Sequence, residues 1–346
     1  MTKEAQTNER LDFVDIMKGL GIMCVILGHL LQKDTGLKSC IYFFHMPLFF
    51  FAYGLVAKSM RVSELLKKRA WGILVPFLFW GIAFTGITID KGLAFLFYGS
   101  NESILRSGSN GMLWFLVSLF FGSVIANAVL AIGKDKTLQI LIRTAAAALL
   151  LLASMGLFCF HDKVIYKGKV LGLPFGLDVT LLAASFILIG AAARDGLVPL
   201  AKKMNGYLTA IIGIVLFCGF LTLGYLTNRI ENNYPSMAVY RLGNALIYWV
   251  VAIGACAGLM LFSVGISEVL GRGLAWLTWI GRNTLVIFLM HRTIIYPVKN
   301  YLAAHEKPLF FFAAFAAVLI YGCICAKLVD VLVPELCGKH RVKKAS

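Results

Sequence analysis

Long apolar stretches separated by short polar segments recur along the whole chain. A helix that crosses the hydrocarbon core of a bilayer needs about 20 apolar residues, and these stretches match that length. The pattern therefore predicts about ten membrane-spanning helices joined mostly by short loops. The predicted spans are 13–32, 40–57, 70–89, 111–132, 138–160, 174–193, 206–226, 242–263, 276–298 and 308–329.

Composition supports this interpretation. Of the 346 residues, 60% are hydrophobic and 14% are charged, whereas a soluble domain is about half apolar and a quarter charged. Acidic Asp12 and Asp15 begin the first apolar stretch, unlike a cleaved signal peptide, so we expect it to remain as a helix. We predict an all-α fold, a polytopic membrane helix bundle that forms one domain over residues 1–346.

Basic residues indicate the orientation of the bundle. The net charge is +16, and the loop between the second and third spans carries Lys58, Arg61, Lys67, Lys68 and Arg69. Because basic loops stay in the cytoplasm, we predict that this loop and both termini are cytoplasmic. Short basic loops suit anionic lipid headgroups, so we expect membrane lipids and no nucleic acid as partners. The sequence is compatible with a homo-oligomer.

Two histidines flank the loop between the first two spans. His29 and His45 each lie eight residues from Leu37, so a hairpin would place them at similar depth. An intramembrane histidine is by default a functional-site hypothesis. His45 lies close to Pro47, which removes a backbone donor and frees the carbonyl of Phe43. The structural alternatives are a packed His29 and a His45 that caps this defect.

A polar stripe runs along the first span. Residues eleven apart on a helix differ by about 20° in direction and about 16 Å in height, so Lys18 and His29 share one face. Asp15 lies near the same face and can pair with Lys18 at the i,i+3 spacing.

None of the eight cysteines forms a CxxC pair, and we expect no metal site.

Five short segments, in this order, resemble the acyltransferase-3 family of integral membrane acyltransferases, most closely its fucose-4-O-acetylase-like members. The resemblance runs from residue 12 to about residue 292 and so covers most of the chain. This chain departs from the family pattern at Lys18, where the family usually has arginine, and at Tyr53, where serine is common. The five segments are 15–29, 44–50, 69–77, 113–116 and 280–291.

This resemblance implies acyl transfer, usually O-acetylation of a cell-surface carbohydrate or its lipid-linked precursor. The implied donor is acetyl-CoA or another acyl-CoA from the cytoplasm, and the implied location is a bacterial inner or plasma membrane. Some relatives carry an additional hydrolase-like domain outside the membrane. With none expected here, the acyl group would pass directly to the acceptor or to a separate protein.

In such a reaction we assign His29 as the general base, which removes the proton of the acceptor hydroxyl as that oxygen attacks the thioester. His45 either holds the tautomer of His29 or donates to the oxyanion, and an acyl-imidazole on either histidine is a further option. Lys18 is a candidate for binding CoA phosphates or pantetheine amides, or it is a lysine that extends to the inner headgroups. Arg282 and Asn283 either contact the CoA nucleotide or anchor the helix at the interface.

The remaining candidates concern the substrates. His291 and Arg292 lie near mid-membrane in the ninth span and either contact acceptor or donor, or serve packing. Trp114 either stacks on a sugar ring or anchors the helix at the interface. We expect one cavity between the first, second and ninth spans, open to CoA inside and to the acceptor outside.

Two other function classes fit the same composition. A transporter of a small polar or lipid-linked molecule also has many helices with intramembrane polar residues. Its coupling usually needs a carboxylate at mid-membrane, whereas Asp15, Asp178 and Asp330 all lie near predicted span boundaries. A non-catalytic sensor with titrating histidines is the third class.

Overall fold

In the residues that it describes, the computed structural model is all-α, as predicted, apart from the two-residue antiparallel ladder of Ile165–Tyr166 with Lys169–Val170 and an isolated bridge between Ser236 and Arg241. The structure describes residues 11–32, 35–85, 111–166, 169–170, 172–228, 234–304 and 308–337. The end of the predicted third span, residues 86–89, and both chain termini lie outside the described residues. The helices are α1 Asp12–Leu30, α2 Gly36–Val56, α3 Val62–Arg69, α4 Val75–Thr85, α5 Trp114–Leu130, α6 Lys136–Phe158, α7 Leu177–Asp195, α8 Leu197–Ala201, α9 Gly206–Thr227, α10 Ala245–Leu270, α11 Ala275–Arg282, α12 Thr284–Ala304 and α13 Pro308–Leu332.

Three long helices begin at a residue whose side chain caps the first turn. Asp135 accepts a hydrogen bond from the backbone N–H of Leu138 at the start of α6. Asn205 and Asn244 do the same at the starts of α9 and α10. Such caps satisfy N–H groups that have no partner inside the helix. The polar residues between the apolar stretches therefore fix where these helices begin.

The bundle is apolar on the outside as well as in the core. Helices α1, α2 and α7 are mostly buried, whereas α6, α9 and α13 are mostly exposed along their apolar length. Leu226 on α9 is 68% exposed and Phe312 on α13 is 67% exposed. Extended apolar surface of this kind is not stable in water and is typical of a bundle that lies in lipid.

Seven helical runs in the described residues are long and apolar enough to cross a membrane, against ten predicted spans. Of the other three predictions, 111–132 corresponds to α5, an apolar helix of 17 residues. The span 70–89 is described only as far as Thr85, where α4 ends. The predicted helix 276–298 is divided at Asn283 into α11 and α12, so it is not one continuous span.

Two close helix contacts hold the central helices. A Cβ atom on Gly54 of α2 would clash with the carbonyl oxygen of Ile187 on α7. A Cβ atom on Gly281 of α11 would likewise clash with the carbonyl oxygen of Asp15 on α1. Only glycine allows backbones this close, as at small-residue contacts between membrane helices. These contacts pack α2 against α7 and α11 against α1.

Buried polar groups join the ends of the peripheral helices. The guanidinium of Arg143 on α6 is 2% exposed, pairs with Asp195 at the end of α7 and donates to the carbonyl of Leu130. On α7, buried Asp178 lies 2.7 Å from the Nδ1 atom of buried His161. A buried charge is tolerated when it is paired in this way.

Candidate active site

A cavity of about 190 Å³ lies between the last turn of α1, the first half of α2, the start of α5 and the first half of α12. Four of the residues that the sequence singled out line it: His29, His45, Trp114 and Arg292. The structure thus brings together residues separated by up to 263 positions. We refer to this space as the outer cavity. The rest of its wall consists of Tyr42, Met46, Gly111, Met112, Tyr234, Ser236, Met237, Ala238 and Phe288.

His29 lies near the end of α1 and is partly buried. Its ring centroid is 5.3 Å from that of His291 and 6.3 Å from that of Tyr42. Within the described residues, no protein group hydrogen-bonds to either of its ring nitrogens. Both nitrogens are therefore available to a substrate in the cavity.

The Nδ1 atom of His45 lies 2.9 Å from the backbone oxygen of Ile41. A carbonyl oxygen only accepts, so Nδ1 carries a proton, and in the neutral ring Nε2 is an acceptor. His45 therefore does not use Nδ1 to cap the carbonyl of Phe43 that Pro47 leaves without a partner. The ring of Tyr42 lies 4.5 Å from that of His45, so this tyrosine contacts both of the imidazoles that we expected at similar depth.

His291 is fully buried on α12. Its Nδ1 atom lies 2.6 Å from the backbone oxygen of Phe288 and donates to it. Its Nε2 atom is buried and has no hydrogen-bond partner among the described residues. His291 is absent from the described wall of the outer cavity. Its ring packs against that of His29, which does line the cavity.

Arg292 and Trp114 line the outer cavity directly. The guanidinium of Arg292 donates to the hydroxyl of Tyr296, 2.8 Å away, one turn further along α12. Trp114 is the first residue of α5 and is 5% exposed. A buried indole beside a polar cavity has the flat apolar surface that a sugar ring stacks on.

Sequence reasoning missed an aromatic and basic group in the same region. The ring of Tyr42 lies 4.7 Å from that of Tyr234. The Nζ atom of buried Lys38 lies over both rings, 5.4 Å and 4.9 Å from their centroids. The available signal was the position of Tyr42, three residues before His45 and hence on the same helix face.

A second cavity of about 380 Å³ lies beside the start of α1, the second half of α2 and the first turns of α5 and α12, and is lined mainly by apolar side chains. We refer to it as the inner cavity. Asp15 and Lys18 line it, and they form the predicted ion pair with an N–O distance of 2.7 Å. On its wall, the ring of Tyr53 lies under the guanidinium of Arg69, 4.5 Å away. The structure thus has two cavities where one was expected.

Arg282 and Asn283 lie where α11 contacts α1, and neither belongs to the described wall of either cavity. The guanidinium of Arg282 pairs with Asp15 at 3.3 Å and with Asp12 at 3.0 Å. The Asn283 side chain donates to the backbone oxygen of Trp279, 2.9 Å away, at the break between α11 and α12. In the described part of the chain, no three His, Cys, Asp or Glu side chains are grouped to hold a metal ion.

Comparison with known proteins identifies the family to which this chain belongs. A family model described as an acyltransferase domain, the acyltransferase-3 model, matches residues 11–327. Nodulation protein NolL of Sinorhizobium fredii is 34% identical over 128 residues, which cover 32% of this chain and 34% of the relative. Nodulation protein NolL of Mesorhizobium japonicum is 29% identical over 147 residues, 38% of this chain and 39% of the relative. The chain thus spans little more than a third of the length of these curated relatives. Since the family model covers most of its length, this multi-pass membrane protein belongs to the acyltransferase-3 family.

Proposed function

We propose that this protein is a membrane-bound O-acyltransferase, most specifically an O-acetyltransferase. It would move the acyl group of acetyl-CoA or another acyl-CoA to a hydroxyl of a cell-surface carbohydrate or its lipid-linked precursor. Membership of the family supports the reaction class. A polar cavity with two imidazoles, an indole and a guanidinium supports a sugar hydroxyl as the acceptor.

The observation that carries the proposal is the contrast between His29 and the two histidines near it. His45 and His291 each commit Nδ1 to a carbonyl of their own helix. His29 makes no such bond within the described residues and faces the cavity. Either of its ring nitrogens can therefore take up a proton without breaking an existing hydrogen bond, whereas His45 offers only Nε2 and His291 lies outside the cavity wall.

The other histidines would then have supporting roles. Because Nδ1 of neutral His45 is the protonated nitrogen, its Nε2 accepts rather than donates. It would accept a hydrogen bond from a neighbouring hydroxyl of the sugar, since the single proton of the attacking hydroxyl goes to His29. His291 would act through His29, because its ring packs against that of His29 and its buried Nε2 atom has no hydrogen-bond partner among the described residues. His291 is then a positioning residue rather than one that touches substrate.

The inner cavity would receive the donor. Its apolar wall suits the pantetheine arm and acyl group, and Lys18 offers a cation for the phosphates or amides of CoA. Arg282 and Asn283 would contact the nucleotide only if Arg282 exchanged a carboxylate partner for phosphate. CoA here is a co-substrate, and the chemistry it supplies is the thioester.

The test uses purified protein in nanodiscs with labelled acetyl-CoA and cell-envelope glycans. Label should move to glycan with wild-type protein, and His29→Gln should lower turnover by about 10²–10⁴-fold, the usual contribution of general base catalysis. Binding of CoA should be retained. His161→Gln, which removes a buried imidazole outside both cavity walls, should keep turnover per folded molecule. Equal transfer by wild type and His29→Gln would overturn the assignment of the base.

A further inference from the structure

The inner and outer cavities meet at a single side chain. Among the described residues, Phe288 is the one that lines both. It is 6% exposed, and its ring lies 5.5 Å from that of Phe115 and 5.9 Å from that of His291. The aromatic ring therefore stands between the apolar inner cavity and the histidines.

The position of Phe288 on α12 explains this placement. Leu285, one turn earlier, lines the inner cavity, and Arg292, one turn later, lines the outer cavity. These residues share one face of the helix because they are three and four positions apart. A path from Lys18 to His29 along this face crosses the ring of Phe288.

The ring packs against the aromatic rings of Phe115 and His291. Phe115 packs against it edge to face at 62°, and Phe115 itself contacts Phe49 and Phe50. Rotation about the side-chain torsions of a buried aromatic residue opens or closes the space beside it without moving the helix. The partition is therefore built from side chains rather than from backbone.

We propose that Phe288 is a gating residue that decides whether the acyl thioester is attacked by the acceptor hydroxyl or by water. This inference rests on the proposed function. In transfer, the acceptor oxygen forms a bond to the acyl carbon, the carbon–sulfur bond breaks, and the proton removed from the hydroxyl ends on the CoA sulfur. In hydrolysis, a water oxygen replaces the acceptor oxygen, and free carboxylic acid and CoA thiol are released.

The gate favours transfer by keeping the thioester away from water until an acceptor fills the outer cavity. Exclusion of water from a closed site is a general means of suppressing hydrolysis of a reactive group. The ring leaves the path when the acyl group passes and otherwise separates the two cavities. A smaller side chain at this position joins them permanently.

The first measurement compares acetyl-CoA hydrolysis with transfer to glycan in Phe288→Ala, Phe288→Leu and wild type. The ratio of hydrolysis to transfer should rise about tenfold or more in Phe288→Ala. Phe288→Leu removes the ring but keeps part of the volume, so the same ratio should rise by a smaller factor. If Phe288→Ala fails to fold, an increased ratio in Phe288→Leu supports the gate. An unchanged ratio in every folded variant of an active protein overturns it.

The second measurement does not depend on activity. Leu285→Cys, in a background without the eight native cysteines, is treated with a membrane-impermeant thiol reagent from the face that carries Tyr234. Modification should be slow with Phe288 present and about tenfold or more faster with Phe288→Ala. Equal rates overturn the gate. A wild-type protein that neither transfers nor hydrolyses label contradicts the proposed function, whereas the labelling rates test the partition independently.

Discussion

At the scale of single residues, the ion pairs of Asp15 explain why Lys18 can be substituted without leaving a buried carboxylate unpaired. Its carboxylate lies 2.7 Å from Lys18 and 3.3 Å from Arg282. Asp15 is 6% exposed at its side chain, so loss of every cationic partner would be costly. Without Lys18, Arg282 still neutralises it. A change in function after substitution of Lys18 therefore reports on the cavity rather than on an unpaired buried charge.

We predict that Lys18→Gln raises the KM for acetyl-CoA about tenfold and leaves kcat nearly unchanged, because a charge-assisted hydrogen bond contributes roughly 1.5–3 kcal/mol. Lys18→Arg, which restores the residue usual in the family, should bind CoA as wild type does. Steady-state kinetics and calorimetric titration with CoA measure this. Exposed Lys134 lies outside both described cavity walls, so Lys134→Gln is the charge-matched control. Equal KM values for both glutamine variants would identify Lys18 as an interfacial anchor.

At the scale of elements, α12 connects the two halves of the site. The break at Asn283 lets α11 pack against α1 while α12 runs beside both cavities. The contact of α11 with α1 depends on Gly281, which leaves no room for a side chain beside Asp15. A disturbance at this glycine should therefore propagate to the inner cavity.

We predict that Gly281→Ala lowers the free energy of unfolding by about 1–3 kcal/mol, the usual cost of forcing an atom into a packed contact. Acyl transfer should fall with it, since the Asp15 backbone must move. Gly156→Ala is the matched control, because a Cβ atom on this glycine of α6 meets no other atom within 4 Å. Its better helix propensity should keep or raise stability. Thermal unfolding in one detergent compares the two, and equal melting temperatures would contradict the close contact.

At the scale of the whole molecule, the sequence predicted the helical class and much of the site, for identifiable reasons. Hydropathy shows apolar length, so it located α1 and α2 and placed His29 and His45 at similar depth. It carries no record of side-chain hydrogen bonds, so the break at Asn283 was missed. The other two spans not among the seven are α5, which has 17 residues, and 70–89, which is described only to Thr85. We expected one cavity, because the position of the Phe288 ring depends on Phe115, which is far away along the chain.

The two cavities lie at opposite ends of α1, with Lys18 lining one and His29 the other. If both termini are cytoplasmic, as the basic loops predict, donor and acceptor approach from different sides of the membrane. We therefore predict that proteoliposomes with labelled acetyl-CoA on the side of the Lys58–Arg69 loop and glycan on the other side form labelled glycan. CoA thiol should appear only in the donor compartment.

The control for this experiment reverses the two compartments in vesicles whose protein orientation has been measured by protease protection. Glycan should stay unlabelled there, because CoA is too polar to cross the bilayer and the outer cavity, at about 190 Å³, is small for a nucleotide. Labelling that required donor and acceptor on the same side would show that the inner cavity is not the route of the acyl group. The prediction that donor and acceptor approach from different sides of the membrane would then be wrong, rather than the role of any one histidine.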